Sequence, residues 1–234
     1  MIACLAYSMP SKLRHPLDTT PRVLLKTMTI PDLLLDGYRQ FREEHLAEQA
    51  ALYRNLSKMG QSPAVMMIAC ADSRVDPATI FNAGPGQLFV VRNVANLAPP
   101  FEENGGYHGT SAAIEFAVEN LGVQDIVIMG HGQCGGIAAS LSSRPAGKFI
   151  APWVEMISAT RDAVLRENPD ADMPALQQTL ELAAIGNSLQ NMLSFPFIKA
   201  AVDSGRLRLH GAWFAIASGE LRWRSPDGNF NKIV

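Results

Sequence analysis

The sequence has no long hydrophobic run and little cysteine. No apolar stretch approaches the roughly 20 residues of a membrane-crossing helix, and charged residues recur along the whole chain. An excess of one charge sign is lacking too. The 20 basic and 22 acidic residues leave a formal net charge of −2, which gives no chain-wide attraction for nucleic acid or anionic lipid. Neither a membrane nor a nucleic acid is therefore an expected partner. Three cysteines, Cys4, Cys70 and Cys134, are too few and odd in number for a disulfide scaffold, and they fit a reducing, cytoplasmic setting. Internal repeats, low-complexity tracts and obvious linkers are missing as well, so the 234 residues read as one α/β domain with a sizeable core.

The first thirty residues carry several bases, a single acid (Asp18) and too short an apolar start for a secretory leader. They read as a flexible N-terminal arm or, if translation begins at Met28, as an artefactual extension; an import signal is the alternative. A single catalytic domain is expected over residues 31–234. Residues 31–59 place Leu34, Tyr38, Phe41, Leu52, Leu56 and Met59 on one helical stripe, opened by Pro31 and closed by Gly60. That helix could serve as an arm around a second subunit or pack on its own core.

Three runs, "PAVMMIAC", "QLFVVRNVAN" and "QDIVIMGH", are apolar on both faces, as buried parallel strands are. Between the last two, "GTSAAIEFAVENLG" has helical spacing that Gly122 ends. The chain after Gly136 reads as helices, and two strand-like runs around Ser218-Gly219 suggest a closing hairpin. The expected fold is a mostly parallel open α/β sheet flanked by helices, with a C-terminal antiparallel strand or hairpin. Its site should lie at the carboxyl ends of the strands.

The stretch "IACADSRVDP" ends its apolar run with a thiol, a carboxylate and a guanidinium on alternate residues: Cys70, Asp72 and Arg74. If the chain stays extended, all three share one face. "GHGQCGG" follows a second strand and carries His131 and Cys134, three apart. Were the two strands neighbours, two thiols and one imidazole would meet. Three such ligands with a fourth position open are the arrangement of a catalytic zinc. Each piece alone has a plainer explanation: Cys70 as a small apolar filler, His131 as a turn histidine, Asp72–Arg74 as a local ion pair. Gly130, Gly132 and Gly135 also spell a dinucleotide-binding GxGxxG. That pattern needs an acid about 20 residues on at the end of a strand, where "APWVEMISAT" looks helical, and it leaves Cys70, Asp72 and Arg74 unexplained.

"CADSRV", "FVVRNVANLAPP", "GTSAAIEFAV" and "IVIMGHGQCGG" together resemble, in order and spacing, the corresponding blocks of the β-class carbonic anhydrases, most clearly from about Gln61 to Ser140. The resemblance implies Zn2+ held by Cys70, His131 and Cys134, and reversible hydration of carbon dioxide to bicarbonate and a proton by zinc-bound hydroxide. It implies that Asp72, held by Arg74, orients that hydroxide, and that Asp72 freed from Arg74 becomes a fourth zinc ligand in a closed state. It carries substrate-contacting roles over to Gln61 (across a subunit interface), Phe89, Val94, Phe116 and the Gly135 amide. Phe116 stands where plant-like members commonly have tyrosine. Met67 stands where another branch has tryptophan beside an inhibitory bicarbonate site, so the resemblance favours an open, plant-like site. It further implies a homodimer or higher even-numbered homo-oligomer. His108 is a candidate proton shuttle or an ordinary loop histidine. Two other functions remain open on the sequence: hydrolysis of a related heterocumulene such as carbon disulfide, and a non-catalytic zinc protein that senses bicarbonate or is purely structural.

Overall fold

A computed structural model of the chain describes residues 30–103, 106 and 108–234. The N-terminal arm expected from the sequence lies outside these residues, apart from Ile30. The chain divides into two compact units, one ending at Tyr53 and the other running from Arg54 to Val234.

Pro31 caps α1 (Asp32–Gln40), which passes through a widened π-type turn, Phe41–His45, into α2 (Leu46–Met59), whose residues from Arg54 on belong to the second unit. The stripe of apolar residues suggests one regular helix here. The structure instead interrupts it at the wide turn and at Gln49, whose backbone (φ −107°, ψ 15°) leaves the helical region. The ring of Phe41 meets Tyr53 edge-on at 5.8 Å and stacks near Tyr38 at 6.5 Å. At the far end, Gly60 adopts φ +78° and returns its N–H to the Leu56 carbonyl, a stop that glycine makes at little cost.

The second unit is built on one six-stranded sheet in the order β2-β1-β3-β4-β5-β6. The strands are β1 (Val65–Cys70), β2 (Leu88–Asn93), β3 (Asp125–His131), β4 (Arg208–Ala215), β5 (Glu220–Arg224) and β6 (Phe230–Lys232). β2, β1, β3 and β4 are parallel, and β4-β5-β6 are antiparallel. The expected C-terminal hairpin is present, its turn closed by Gly219 at φ +70°. β6 is an additional strand that the sequence pattern did not mark. The connecting helices are α3 (Pro77–Ile80), α4 (Gly109–Glu115), α5 (Gly135–Leu141), α6 (Ile150–Val154), α7 (Ser158–Glu167), α8 (Met173–Met192) and α9 (Pro196–Asp203).

Alternation along the strands divides the core between two faces. Met66, Ile68, Ile126 and Ile128 pack with Ile114, Ile185, Met192 and Ile198 from the helices, while Met67, Ala69, Val127 and Met129 form a second cluster with Ala212. A third cluster gathers Cys70, Ala95, Leu97, Cys134 and Ile137 against Leu180 and Ala184 of α8. Each fully buried aliphatic side chain contributes about 1.5–3 kcal/mol. This third cluster lies at the carboxyl end of β1 and β3, so buried apolar side chains surround the two cysteines. The strand carrying an acid that the dinucleotide pattern requires is absent: from Gly135 to Asp203 the described elements are helices, and the next strand begins at Arg208.

Candidate metal centre

The site begins with strand register. β1 and β3 are adjacent and parallel, with Ala69 opposite Met129, so Cys70 and the His131–Cys134 turn leave the sheet side by side. The Cys70 and Cys134 sulfurs lie 3.9 Å apart, and these atoms and a ring nitrogen of His131 all fall within 4.8 Å of one another in a buried cluster. Two Zn–S bonds of about 2.3 Å at a tetrahedral angle put the sulfurs roughly 3.8 Å apart. The observed spacing therefore suits one zinc ion, and the two cysteines are free thiols.

The histidine is prepared in the same sense. His131 Nδ1 lies 2.9 Å from the Gly132 carbonyl, which can only accept, so Nδ1 carries the proton. Nε2 is then buried with no hydrogen-bond partner, a costly state for a polar atom unless a metal takes its lone pair. Burial opposes the charged imidazolium; the Cys70 sulfur and the Gly132 carbonyl favour it and prevail, so the His131 pKa lies above its ordinary value. The Cys134 thiol donates to Cys70 and, against the opposing effect of burial, holds Cys70 well below its ordinary value, helped by His131 and the amides of Asp72 and Ala95. The same hydrogen bond, with burial, pushes Cys134 up. Even among protein groups alone the pair thus favours one thiolate, the form that binds metal.

Backbone strain accompanies this arrangement. Ala95 (φ +65°) and Asn96 (φ +49°) are consecutive left-handed residues without being glycine, and both are buried. That conformation turns the Ala95 amide toward Cys70, so strain of about 1–3 kcal/mol per residue is tolerated where it places a donor on a ligand sulfur. Gly136 sits directly against this loop, and a Cβ there would meet Val94 Cγ1 at 2.7 Å and Ala95 Cβ at 2.9 Å.

Asp72 and Arg74 form the fork expected of them, by a different backbone route. The alternation in the sequence suggested an extended segment, but β1 ends at Cys70 and residues 72–75 form a turn closed by the Val75 N–H on the Asp72 carbonyl. The Arg74 amide donates to Asp72 Oδ1 at 2.9 Å, the self-capping an aspartate offers at a turn. The Arg74 guanidinium adds Nε to Oδ1 at 2.9 Å and an NH2 bond to Oδ2 at 2.7 Å. These bonds hold the Asp72 carboxyl far below the ordinary carboxylate range. Both oxygens are occupied, and Asp72 stands outside the three-ligand group.

The remaining sequence candidates separate. Val94 lies beside Gly136 at the start of α5, gives its carbonyl to the Trp153 indole at 2.7 Å, and borders a cavity of ≈ 680 Å³ whose wall includes Asn93, His108 and Thr110. Gly135 opens α5 with no atom within 4 Å of where a Cβ would stand. Phe89 and Phe116 meet each other, rings 5.9 Å apart, but Phe89 is opposite Met66, four residues or about 13 Å along the sheet from Cys70. Gln61 is exposed before β1, at the strand end opposite Cys70. Within one chain neither Gln61 nor the Phe89–Phe116 pair joins the cluster.

Two residues that sequence reasoning missed hold this edge together. Arg92 of β2 donates to the carbonyls of Cys70 (2.9 Å) and Asp72 (2.6 Å) and pairs with Asp76 at 3.4 Å. Glu181 of α8, only 3% exposed, accepts the Cys134 amide at 2.9 Å. The signals were a charge inside an apolar strand and an acid on the buried stripe of a helix.

A family model described as carbonic anhydrase matches residues 65–221. The chloroplastic β-carbonic anhydrase 5 of Arabidopsis thaliana is 38% identical over 165 residues, 69% of this chain; the chain spans about half (54%) of that relative's length. Among solved structures, the β-carbonic anhydrase CcaA is 31% identical with a TM-score of 0.82, covering 87% of this chain and 92% of the other. A structure from a study of two tetrameric β-carbonic anhydrases of Sordaria macrospora is 27% identical with a TM-score of 0.71, covering 82% of this chain and 95% of that one. The match takes in both ligand-bearing segments, and the fold agrees over most of its length: the chain belongs to the β-carbonic anhydrase family.

Proposed function

We propose that this chain catalyses the reversible hydration of carbon dioxide to bicarbonate and a proton, with Zn2+ held by Cys70, His131 and Cys134. The observation that carries the reading is the partnerless Nε2 of His131 facing two sulfurs 3.9 Å apart, beside a carboxylate fixed at both oxygens. Zinc bound by such ligands supplies Lewis acidity that brings the pKa of a water from about 15.7 toward ~7. Asp72, immobilised by Arg74, accepts a hydrogen bond from the attacking oxygen and aims its lone pair at carbon dioxide. Val94 offers an apolar wall, and the Gly135 amide a donor for charge developing on the product. As long as Arg74 occupies both Asp72 oxygens, Asp72 does not compete as a fourth ligand. Release of that fork would give the closed state.

The distance of Gln61 and of the Phe89–Phe116 pair from the same chain's cluster favours a second subunit as their point of use. That supports a homodimer or a higher even-numbered homo-oligomer, as in the tetrameric relatives. We place the protein in the cytoplasm on its cysteines, which are sparse and odd in number. The relative from Arabidopsis is chloroplastic by name, and no helix among the described residues is long and apolar enough to cross a membrane.

Stopped-flow carbon dioxide hydration on metal-analysed protein tests the reading. About one zinc per chain is expected, with turnover rising between about pH 7 and 9, because two thiolates leave the bound water less acidic than three neutral ligands would. Zinc without hydration would favour a silent zinc protein, and no zinc would sink the assignment.

A further inference from the structure

We infer that Glu181 is a positioning residue for the metal centre, fixing the Cys134 ligand by gripping its backbone from α8. The inference rests on the zinc reading above and adds a residue to it. Glu181 Oε1 accepts the Cys134 N–H at 2.9 Å and Gln177 Nε2 at 3.0 Å, while Oε2 accepts the Trp213 indole N–H at 3.2 Å. Gln177, one turn earlier on the same helix face, also donates to the Cys134 carbonyl at 3.3 Å. α8 thus engages both polar groups of the Cys134 peptide backbone, and β4 locks the carboxyl in place through Trp213.

Packing covers the Cys134 side chain but leaves Gly132 half-buried and Gln133 exposed, so the turn that leads to the ligand is not held by packing alone. A cavity of ≈ 630 Å³ lies behind the turn, bordered by Gly132, Gln133, Gln177, Glu181 and Trp213. The turn contains Gly132 and the left-handed Gln133 (φ +57°). The turn's backbone is also held by the Gly132 N–H on the Phe214 carbonyl at 2.9 Å, at the His131 end, and by Arg74, which reaches the Gln133 carbonyl at 3.4 Å. At the Cys134 end, Glu181 is the acceptor that holds the ligand's own N–H. A carboxyl is also an expensive group to bury. Partners beyond the ligands orient metal sites in this way, and removing one typically weakens metal affinity 10–100-fold.

The test is zinc affinity of the full chain, by competition with a chromophoric chelator, together with the absorption spectrum of the Co2+-substituted protein. Glu181→Ala should weaken zinc binding about 10–100-fold and broaden the tetrahedral cobalt bands. Glu181→Gln keeps an oxygen for Cys134 but turns an NH2 toward the Trp213 N–H, so it should fall in between. Trp213→Phe removes that opposing donor, and the double variant Glu181→Gln/Trp213→Phe should recover zinc affinity to within a few-fold of the parent. Should Glu181→Ala fold poorly, the Gln pair decides alone. Unchanged zinc affinity and cobalt spectrum in Glu181→Gln, or no recovery in the double variant, would overturn the inference and leave Glu181 a structural strut. Failure of the parent chain to bind zinc would instead overturn the proposed function.

Discussion

At the residue scale, the two charged side chains beside the cluster have separable jobs. Arg74 makes no hydrogen bond to either sulfur or to the imidazole; its hydrogen bonds go to Asp72 and, at 3.4 Å, to the Gln133 carbonyl. Arg74→Ala should therefore leave about one zinc per chain while lowering turnover 100-fold or more, since a carboxylate misplaced by about 1 Å forfeits that much. Metal analysis beside stopped-flow rates checks this, and loss of zinc with the arginine would mean that the fork is structural. Cys70→Ser should show the opposite pattern. A hydroxyl does not offer the thiolate that Cys134 and two backbone amides stabilise here, so zinc and activity disappear together while the strand remains.

At the level of elements, two adjacent glycines at the start of α5 are predicted to behave differently. Gly136→Val would drive its side chain into Val94 and Ala95, shifting the loop whose amide serves Cys70. A loss of about 1–3 kcal/mol in chemical denaturation is expected. Gly135 has free space around it and occupies the first helical position, where proline fits. Gly135→Pro should keep zinc and stability but remove one N–H. A raised KM or lowered kcat in that variant assigns the amide to substrate or transition state, and unchanged kinetics would withdraw the role given to it. This edge of the sheet also shows what the sequence could and could not convey. Buried strands and the ligands at their ends were legible, because both-face apolarity and cysteine–histidine spacing are local signals. The turn at Asp72–Val75 was not, because an aspartate that caps its own turn looks like strand alternation until the backbone is seen. Arg92 and Glu181 escaped because their partners are 20–22 and 47 residues away.

For the whole molecule, acid stability and assembly can both be argued. Asp125, at the start of β3, takes two 2.7 Å bonds from Arg208 and lies 2.7 Å from His210 Nε2, tying β3 to β4. The Arg208 guanidinium, against some burial and with help from His210, lowers Asp125 to about 2. Because the folded value lies below the ordinary ~3.9, this stabilisation is complete above about pH 4. It is lost as the pH falls through about 2, and amounts to about 1 kcal/mol after solvent screening. Asp125→Asn should flatten that part of the acid-unfolding curve. Assembly follows from where Gln61 sits: β1 carries the chain from its vicinity at one sheet edge to Cys70 at the other, about 16 Å of strand. If Gln61 serves a partner's metal centre, a Cys70→Ser chain retains a usable glutamine and a Gln61→Ala chain retains a usable metal site. In a dimer reassembled from equal amounts, half the molecules are mixed and one site in each is complete, so about a quarter of the parent's turnover should return. Turnover no greater than the average of the two separate variants would place Gln61 outside the partner's reaction.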